Sequence, residues 1–423
     1  MRLIHLLPSA MSLASHFRNL SCVSTIFCVL LCMSSAISQE GEALLRWKST
    51  LLNSTSLSLW SHANPTNYWD GVTFDDVGRV TELDLPGYGL SGTLDALCSA
   101  TFRHLTMLNL YDNNLVGAIP TNISLLLALT YVDLSNNNLV GDIPYQLSRL
   151  QKIATLDLTN NHLTNPEHTK FSPMSSLMYL HLGGNKLNGT FPLFILNGYF
   201  VRLMELDLSC NTFSGSVPDN LQEVAPSLLD LDLSSNMFSG LIPRSLSKLA
   251  TLVTLYLSNN TLTGGTPKEL GNLTNIRQMD LSCNLFSGGI PKELGNLSKI
   301  RQMDLSCNLF SGRIPKELGN LTQLMYMNLS WNRLSGGLPP SFSRIENMLE
   351  FDVGNNLHLS GNIPLEWFAN WTLLEVVNIA NNTFTGIINE AFCQPSKLYF
   401  IDLSNTPSVR NYLSQKWMYL DVF

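Results

Sequence analysis

Charge is scarce in this chain. Asp, Glu, Lys and Arg make up 13% of its 423 residues, against about 25% in ordinary globular chains. No stretch clusters Lys and Arg, and the formal charge is −7. Phosphate binding therefore has no electrostatic footing, which excludes nucleic acid as a partner. Long apolar runs are missing beyond residue 38, where no segment reaches about 18 consecutive apolar residues. The mature chain is expected to hold no membrane span. Outside the N-terminal segment no two cysteines have the C-x-x-C spacing of a zinc or redox site. Protein-kinase motifs are absent, as is any periodic Ser/His/Asp or Cys/His arrangement. We therefore expect no enzyme activity, no metal and no cofactor. Disorder is excluded as well, because hydrophobic residues make up 45%.

Three local patterns reduce to ordinary structure. "GYGLSG" at 87–92 matches G-x-G-x-x-G, but no helix pattern follows, as a dinucleotide fold requires. "NHLTNPEH" groups His162, Glu167 and His168 beside Pro166 and Pro173, which argues for a loop, not a metal-binding helix. Asp133, Asp157, Asp207, Asp232, Asp280, Asp304 and Asp352 recur once per period, which marks a surface ladder before it marks paired catalytic acids.

The N-terminus has the form of a secretory leader. Arg2 and Arg18 precede the apolar run "VSTIFCVLLCM" at 23–33, and Ala36 and Ser38 suit cleavage before Gln39. An uncleaved anchor is the alternative, though the run is short for a span. Cleavage leaves Cys98, Cys210, Cys283, Cys307 and Cys393. Five is odd, so at least one thiol is free or pairs between chains.

The dominant feature is repetition. "PKELGNLTNIRQMDLSCNLFSGGI" at 267–290 is followed by "PKELGNLSKIRQMDLSCNLFSGRI" at 291–314. Both belong to a longer pattern, LxxLxLxxNxLxGxIP, with thirteen copies at spacings of 24 to 26 residues. A period of this size means a solenoid, with one supersecondary unit per copy. The LxxLxL segment alternates as a short strand does, with its Leu turned inward. Twelve copies keep an Asn beside that core: Asn113, Asn137, Asn161, Asn185, Asn211, Asn236, Asn260, Asn284, Asn308, Asn332, Asn356 and Asn382. A buried amide must be hydrogen-bonded, so these should form a ladder on the backbone. Gly permits the following bend, and Pro ends pairing on the outer side. Copy four reads "TNPEHTKFSPM" where Gly and Ile-Pro belong, and copy twelve carries one extra residue.

The pattern resembles plant-type extracellular leucine-rich repeats, of which GxIP is the distinguishing half. The resemblance implies an α/β repeat fold. Its form is a leucine-rich-repeat solenoid curved into a right-handed superhelical arc, with a parallel β-sheet on the concave face and short helical or 3-10 turns on the convex face. The stretch before the repeats resembles the family's N-terminal cap, with a helix in "EALLRWKSTLL" at 42–52. The cap's C-x-x-W-x-G-V-x-C pattern keeps Trp69, Gly71 and Val72 but has Thr66 and Phe74 at the cysteine places. This implies a cap held by packing alone. The expected organisation is a signal peptide at 1–38, a cap at 39–79, thirteen repeats at 80–397, and an incomplete repeat with an aberrant tail at 398–423.

What the resemblance implies about function is secretion to the cell wall and binding without catalysis, like the ectodomains of receptor-like proteins and receptor-like kinases. The ligand would be a protein, a peptide or a cell-wall fragment, in defence or development, and the partner could be a receptor ectodomain. The alternative is an inhibitor of secreted cell-wall hydrolases, similar to polygalacturonase inhibitors, although those relatives are shorter and have disulfide caps at both ends. A truncated product of a receptor gene is the third reading.

Outward strand positions nominate Tyr131, Tyr179, His181, Glu205, Tyr256, Gln278, Gln302 and Tyr326 as ligand-binding residues on the concave face, because Tyr combines contact area with a polar tip. Glycosylation sequons stand at Asn53, Asn122, Asn188, Asn259, Asn272, Asn296, Asn320, Asn328, Asn370 and Asn381. Asn328 falls on the concave face. Cys283 and Cys307 share a phase on adjacent copies, but parallel side-chain directions disfavour a bridge. The tail, with Tyr412, Trp417, Tyr419 and Phe423, would either cover the last Leu edge or mark a frame-altered end.

Overall fold

A computed structural model describes residues 37–198, 200–388, 395–406 and 408–411. Most of the leader, Cys393 and the four tail aromatics lie outside the described residues. The leucine pattern folds as its alternation requires. Each copy contributes a three-residue strand such as Gln302–Asp304, with the middle residue, here Met303, fully buried. Fourteen such strands, from Val80–Asp84 to Phe400–Asp402, pair in parallel and in register. A one-residue slip would turn every buried Leu or Met outward, so the burial pattern fixes the register. Behind the sheet, Pro267, Pro291 and Pro315 each precede a 3-10 turn, Lys268–Asn272, Lys292–Asn296 and Lys316–Asn320. Proline's fixed φ suits that position, and its missing N–H costs nothing there.

The structure adds a second set of strands that the repeat pattern did not suggest. Segments such as Leu285–Gly288 and Leu309–Gly312 pair from coil to coil along the flank. They form a four-stranded sheet from Ser91–Gly92 to His162–Thr164 and a ten-stranded one from Asn188–Gly189 to Ser408–Asn411. The break between them falls at copy four, where "TNPEHTKFSPM" replaces the usual Gly and Ile-Pro. Many of the flank strands end on a glycine with positive φ, +79° at Gly288 and +78° at Gly312. That geometry turns the chain into the outer face and disfavours a side chain.

The asparagines tie the coils together. Asn308 Nδ2 donates to the Leu281 carbonyl of the preceding coil at 3.0 Å, and to Leu305 and Ser306 of its own coil at 3.3 and 2.9 Å. Its Oδ1 accepts from Phe286 N at 3.0 Å. All twelve asparagines donate in this way. At Asn382 the Oδ1 is buried without a partner. The extra residue of copy twelve adds Leu357 with φ +59°, which displaces the segment that would have donated to it. In the fourteenth copy the strand survives although the amide is gone. Thr406 Oγ1 donates to Leu403 and Ser404 carbonyls at 2.8 and 3.3 Å, reproducing the contacts within the coil but not the reach to its neighbour.

Helix α1, Gln39–Thr50, begins the cap, with Ser38 Oγ accepting from Gly41 N at 3.1 Å. Strand β1, Val72–Phe74, then folds antiparallel onto β2, Val80–Asp84, and closes the sheet's first edge. Trp47, Trp60, Trp69 and Phe74 form a chain of ring contacts with centroids 6.4, 5.6 and 6.3 Å apart. Phe74 thus closes this chain with an edge-on contact to Trp69. Packing is not alone, however. Lys48 Nζ donates to the Leu57 and Trp60 carbonyls, both at 2.7 Å, and the buried Glu40 carboxylate accepts from Val80 N. Turn carbonyls enclosed by aromatic rings need donors, and a lysine from α1 supplies them.

Replacing Asn308 by Ala should leave the Leu281 and Leu305 carbonyls and the Phe286 N–H without the amide that serves them, at a cost of about 1–3 kcal/mol. Because coils contact only their neighbours, the loss should be local. Hydrogen exchange should accelerate at Phe286 and in the coils flanking position 308, while the cap at 39–79 keeps its protection; uniform acceleration along the array would contradict a ladder role. In the cap, Trp60→Ala should cost about 3–5 kcal/mol and expose α1 to proteolysis with the distal coils still protected.

Candidate functional site on the concave sheet

The inner face is set by strand geometry. With the middle residue buried, the first and third residues of each strand project from the concave side, two per coil. All eight nominated residues occupy such positions: Tyr131, Tyr179, Glu205, Gln278, Gln302 and Tyr326 are first, His181 and Tyr256 third. They do not form one site. His181, Glu205, Tyr256 and Gln278 line one hollow together with Asp207, Asp230, Asp232 and Thr254. Gln302 and Tyr326 line a second with Asp304, Asn328, Glu350 and two Met side chains. Tyr131 and Tyr179 lie outside both hollows, toward the cap. The Tyr131 hydroxyl donates to Asp133 Oδ2 at 3.2 Å, and burial, then nearby Asp133, pushes its pKa up to about 12.

The wall's sign was not anticipated. Across the fourteen parallel strands the first and third positions offer 28 sites. Thirteen are Asp or Glu, none is Lys or Arg, and His181 is the one basic group. The recurring aspartates have a structural duty as well. Asp304 Oδ1 accepts from Ser306 N at 2.8 Å and Ser306 Oγ at 2.6 Å. Asp157, Asp207, Asp232, Asp280 and Asp352 take the corresponding N–H. Each closes an Asx turn at the strand's end, which explains an acid or amide at this phase in twelve of the fourteen coils. Burial raises the pKa of Asp232, Asp304 and Asp352 against those turn hydrogen bonds. Asn328 does the same turn job, accepting from Ser330 N at 3.1 Å, while its Nδ2 donates to Asp304 Oδ2 at 3.2 Å. Acids at the first position are free of that duty. Asp230 and Glu350 are the clearest, one in each hollow.

His181 bridges the first hollow. Its Nδ1 lies 3.2 Å from Asp157 Oδ2 and its Nε2 3.1 Å from Glu205 Oε2. The hydrogen bond to Asp157 raises the imidazole pKa against the opposing effect of burial, with Glu205 and Asp207 adding to the rise. For Asp157 burial acts upward, but hydrogen bonds from His181 and Thr159 outweigh it and the net shift is downward. Protonated imidazole thus neutralises part of a wall that is otherwise one sign. Among the described residues no group of His, Cys, Asp and Glu has the arrangement of a metal site, and no helix is long and apolar enough to cross a membrane.

A parallel solenoid whose inner wall displays charged and aromatic side chains, with turns on the outside, defines a recognition scaffold. The chain carries leucine-rich repeats and is homologous to the ectodomains of plant leucine-rich-repeat receptor-like kinases. The leucine rich repeat models match residues 201–262, 104–126, 128–150, 275–297, 299–321 and 323–345. The LRR receptor-like serine/threonine-protein kinase RGI3 of Arabidopsis thaliana is 36% identical over 108 residues, 25% of this chain and 10% of that protein. The chain thus spans about a tenth of the length of such relatives, whose kinase parts lie outside the match. Among solved structures, that of PEPR1–AtPEP1 aligns with a TM-score of 0.72 at 29% identity, covering 86% of this chain and 55% of that one. The plant peptide hormone receptor RGFR1 in complex with RGF2 aligns at 0.55 with 25% identity, covering 81% and 68%.

Because the folded His181 pKa is raised, its ion pairs contribute fully below the ordinary imidazole value of about 6.5. The contribution is lost as pH rises through the raised value. His181→Gln should therefore lower the melting temperature at pH 5 by the equivalent of about 1 kcal/mol or less and leave it unchanged at pH 9. An equal loss at both pH values would assign His181 a packing role instead.

Proposed function

We propose that this protein is an extracellular, non-enzymatic binding module that takes a cationic peptide segment along its concave sheet. The observation that carries the reading is the wall itself, thirteen carboxylates with no Lys or Arg in 28 positions. Burial raises the pKa of several wall aspartates, and repulsion from neighbouring acids adds to the rise. A ligand bearing Lys or Arg relieves that repulsion and gains charge-assisted hydrogen bonds. Tyr256 and Tyr326, one in each hollow, add apolar area with polar tips. The similarity to a peptide hormone receptor supports a peptide over a sugar as the ligand class.

Secretion and glycosylation belong to the same reading. Asn272, Asn296 and Asn320 end successive 3-10 turns and are exposed, so sugars there would line the outer side and leave the inner wall open. Asn53, Asn122, Asn188, Asn259 and Asn370 are also exposed, whereas Asn328 and Asn381 are half-buried. Asn328 stands in the second hollow, and a glycan on it would fill the site. A secreted hydrolase in place of a peptide is the second reading, and capture of a hydrolase by the tagged chain from extracellular fluid would favour it.

Calorimetric titration with matched synthetic peptides tests the proposal. Arg- and Lys-containing sequences should bind, their acidic counterparts should not, and affinity should fall as salt is raised. Asp230→Lys combined with Glu350→Lys should weaken binding by about tenfold or more at low salt without shifting the melting temperature, since neither acid closes a turn. Affinity indifferent to these changes, or preference for the acidic peptide, would sink the reading.

A further inference from the structure

One row of side chains lies just past the inner strands. The residue before each ladder asparagine adopts positive φ, between +50° and +60° at Asn136, Asn160, Cys210, Ser235, Asn259, Cys283, Cys307, Trp331, Asn355 and Asn381. Side chains on this row reach from coil to coil. Asn160 Nδ2 donates to Asn136 Oδ1 at 2.7 Å, Asn259 Nδ2 to Ser235 Oγ at 3.2 Å, and Asn381 Nδ2 to Asn355 Oδ1 at 2.8 Å. The duplicated coils place Cys283 and Cys307 at successive positions of the same row, both exposed and both as free thiols. The backbone links them directly, with Asn284 N donating to the Cys307 carbonyl at 3.1 Å.

The geometry points to an oxidisable dithiol: Cys283 and Cys307 form an intrachain disulfide that staples the two near-identical coils together. Neighbouring parallel coils hold equivalent Cα atoms about 5 Å apart, inside the range of roughly 4.4–6.8 Å that a disulfide spans. Parallel side-chain directions oppose a bridge within a strand. These cysteines stand three residues beyond Asp280 and Asp304, past the strand ends, where the left-handed backbone turns neighbouring side chains into mutual contact. On the same row the side chains of Asn160 and Asn136, and of Asn381 and Asn355, already meet at hydrogen-bond distance.

The co-substrate is a small-molecule disulfide such as oxidised glutathione. One cysteine thiolate attacks a glutathione sulfur, breaking the S–S bond and releasing one glutathione thiolate with formation of a mixed disulfide. The second cysteine thiolate then attacks the protein sulfur of that mixed disulfide and releases the other glutathione. Two thiols lose two electrons and two protons, and oxidised glutathione becomes two reduced molecules. Burial, then the neighbouring Cys307, pushes the Cys283 pKa up to about 11, so the reaction should accelerate from pH 7 to pH 8.5 as thiolate becomes available. Two other cysteines are internal controls. Cys210 has Gly184 and Ser235 as its row neighbours, and Cys98 is buried with its pKa pushed up to about 12.

The test treats the full chain with oxidised glutathione, blocks remaining thiols with a maleimide after unfolding, and maps tryptic peptides by mass. Residues 278–292 and 302–313, which carry Cys283 and Cys307, should appear as one linked species two hydrogens lighter than their sum. That species should exceed any link to Cys210 by about tenfold or more, because adjacent thiols meet at high effective concentration. Cys283→Ser should abolish it and Cys210→Ser should not; Ser235 on the same row, with φ +53°, shows that serine fits. Maleimide on both cysteines after oxidation, glutathione left on each, or equally fast linkage in the urea-unfolded chain would each overturn the proposal.

Discussion

The hydrogen bonds of a buried carboxamide hold this molecule together. Each ladder asparagine gathers carbonyls from its own coil and the one before it, and all but Asn382 return an acceptor to a backbone N–H of the preceding coil. Leucine burial supplies the larger free energy but no direction, since apolar contact is tolerant of sliding. The amides add what leucine cannot: a fixed distance and register between successive coils. From that register follow the continuous inner sheet, the shared phase of the aspartates, and the row of left-handed residues along the rim.

Recognition depends on the same constraint. A wall of one charge is costly, and a free-standing loop would rearrange to avoid it. Here the third strand position in twelve of fourteen coils carries a side chain able to close an Asx turn, and in most of them that side chain is Asp. The solenoid therefore builds an acidic face as a consequence of how each turn is made. First-position acids such as Asp230 and Glu350 then deepen it without structural need, while His181 offsets it locally between Asp157 and Glu205. Structural and ligand-facing roles are separable by strand position, which makes the face open to dissection.

Much of the architecture is readable from periodicity because each coil repeats the same local problem. The inward leucines, the ladder asparagines and the outward placement of Tyr256 or Tyr326 all follow from phase alone. The flank sheets do not, because SG-type segments are too short and polar to announce a strand until a neighbour pairs with them. The aspartates read as a surface ladder, and their turn-closing role appears only with the backbone of Ser306 or Thr159 beside them. Division of the eight nominated residues between two hollows also depends on side-chain volumes in adjacent coils. In the cap, the missing cysteines are plain from Thr66 and Phe74, whereas the ring contacts of Phe74 and the donation by Lys48 depend on α1 crossing over residues 57–60.

By itself the sequence determined that the chain winds in coils of 24 to 26 residues, which side of each strand is buried, and that an amide must stand beside the core. These are local demands of burial and hydrogen bonding, met identically in every copy. Only the tertiary structure decided what neighbouring coils present jointly: an acidic wall, a histidine between two carboxylates, and two thiols at successive places on one row. Those features are made by residues about 24 positions apart, and their proximity exists only once the stack is closed.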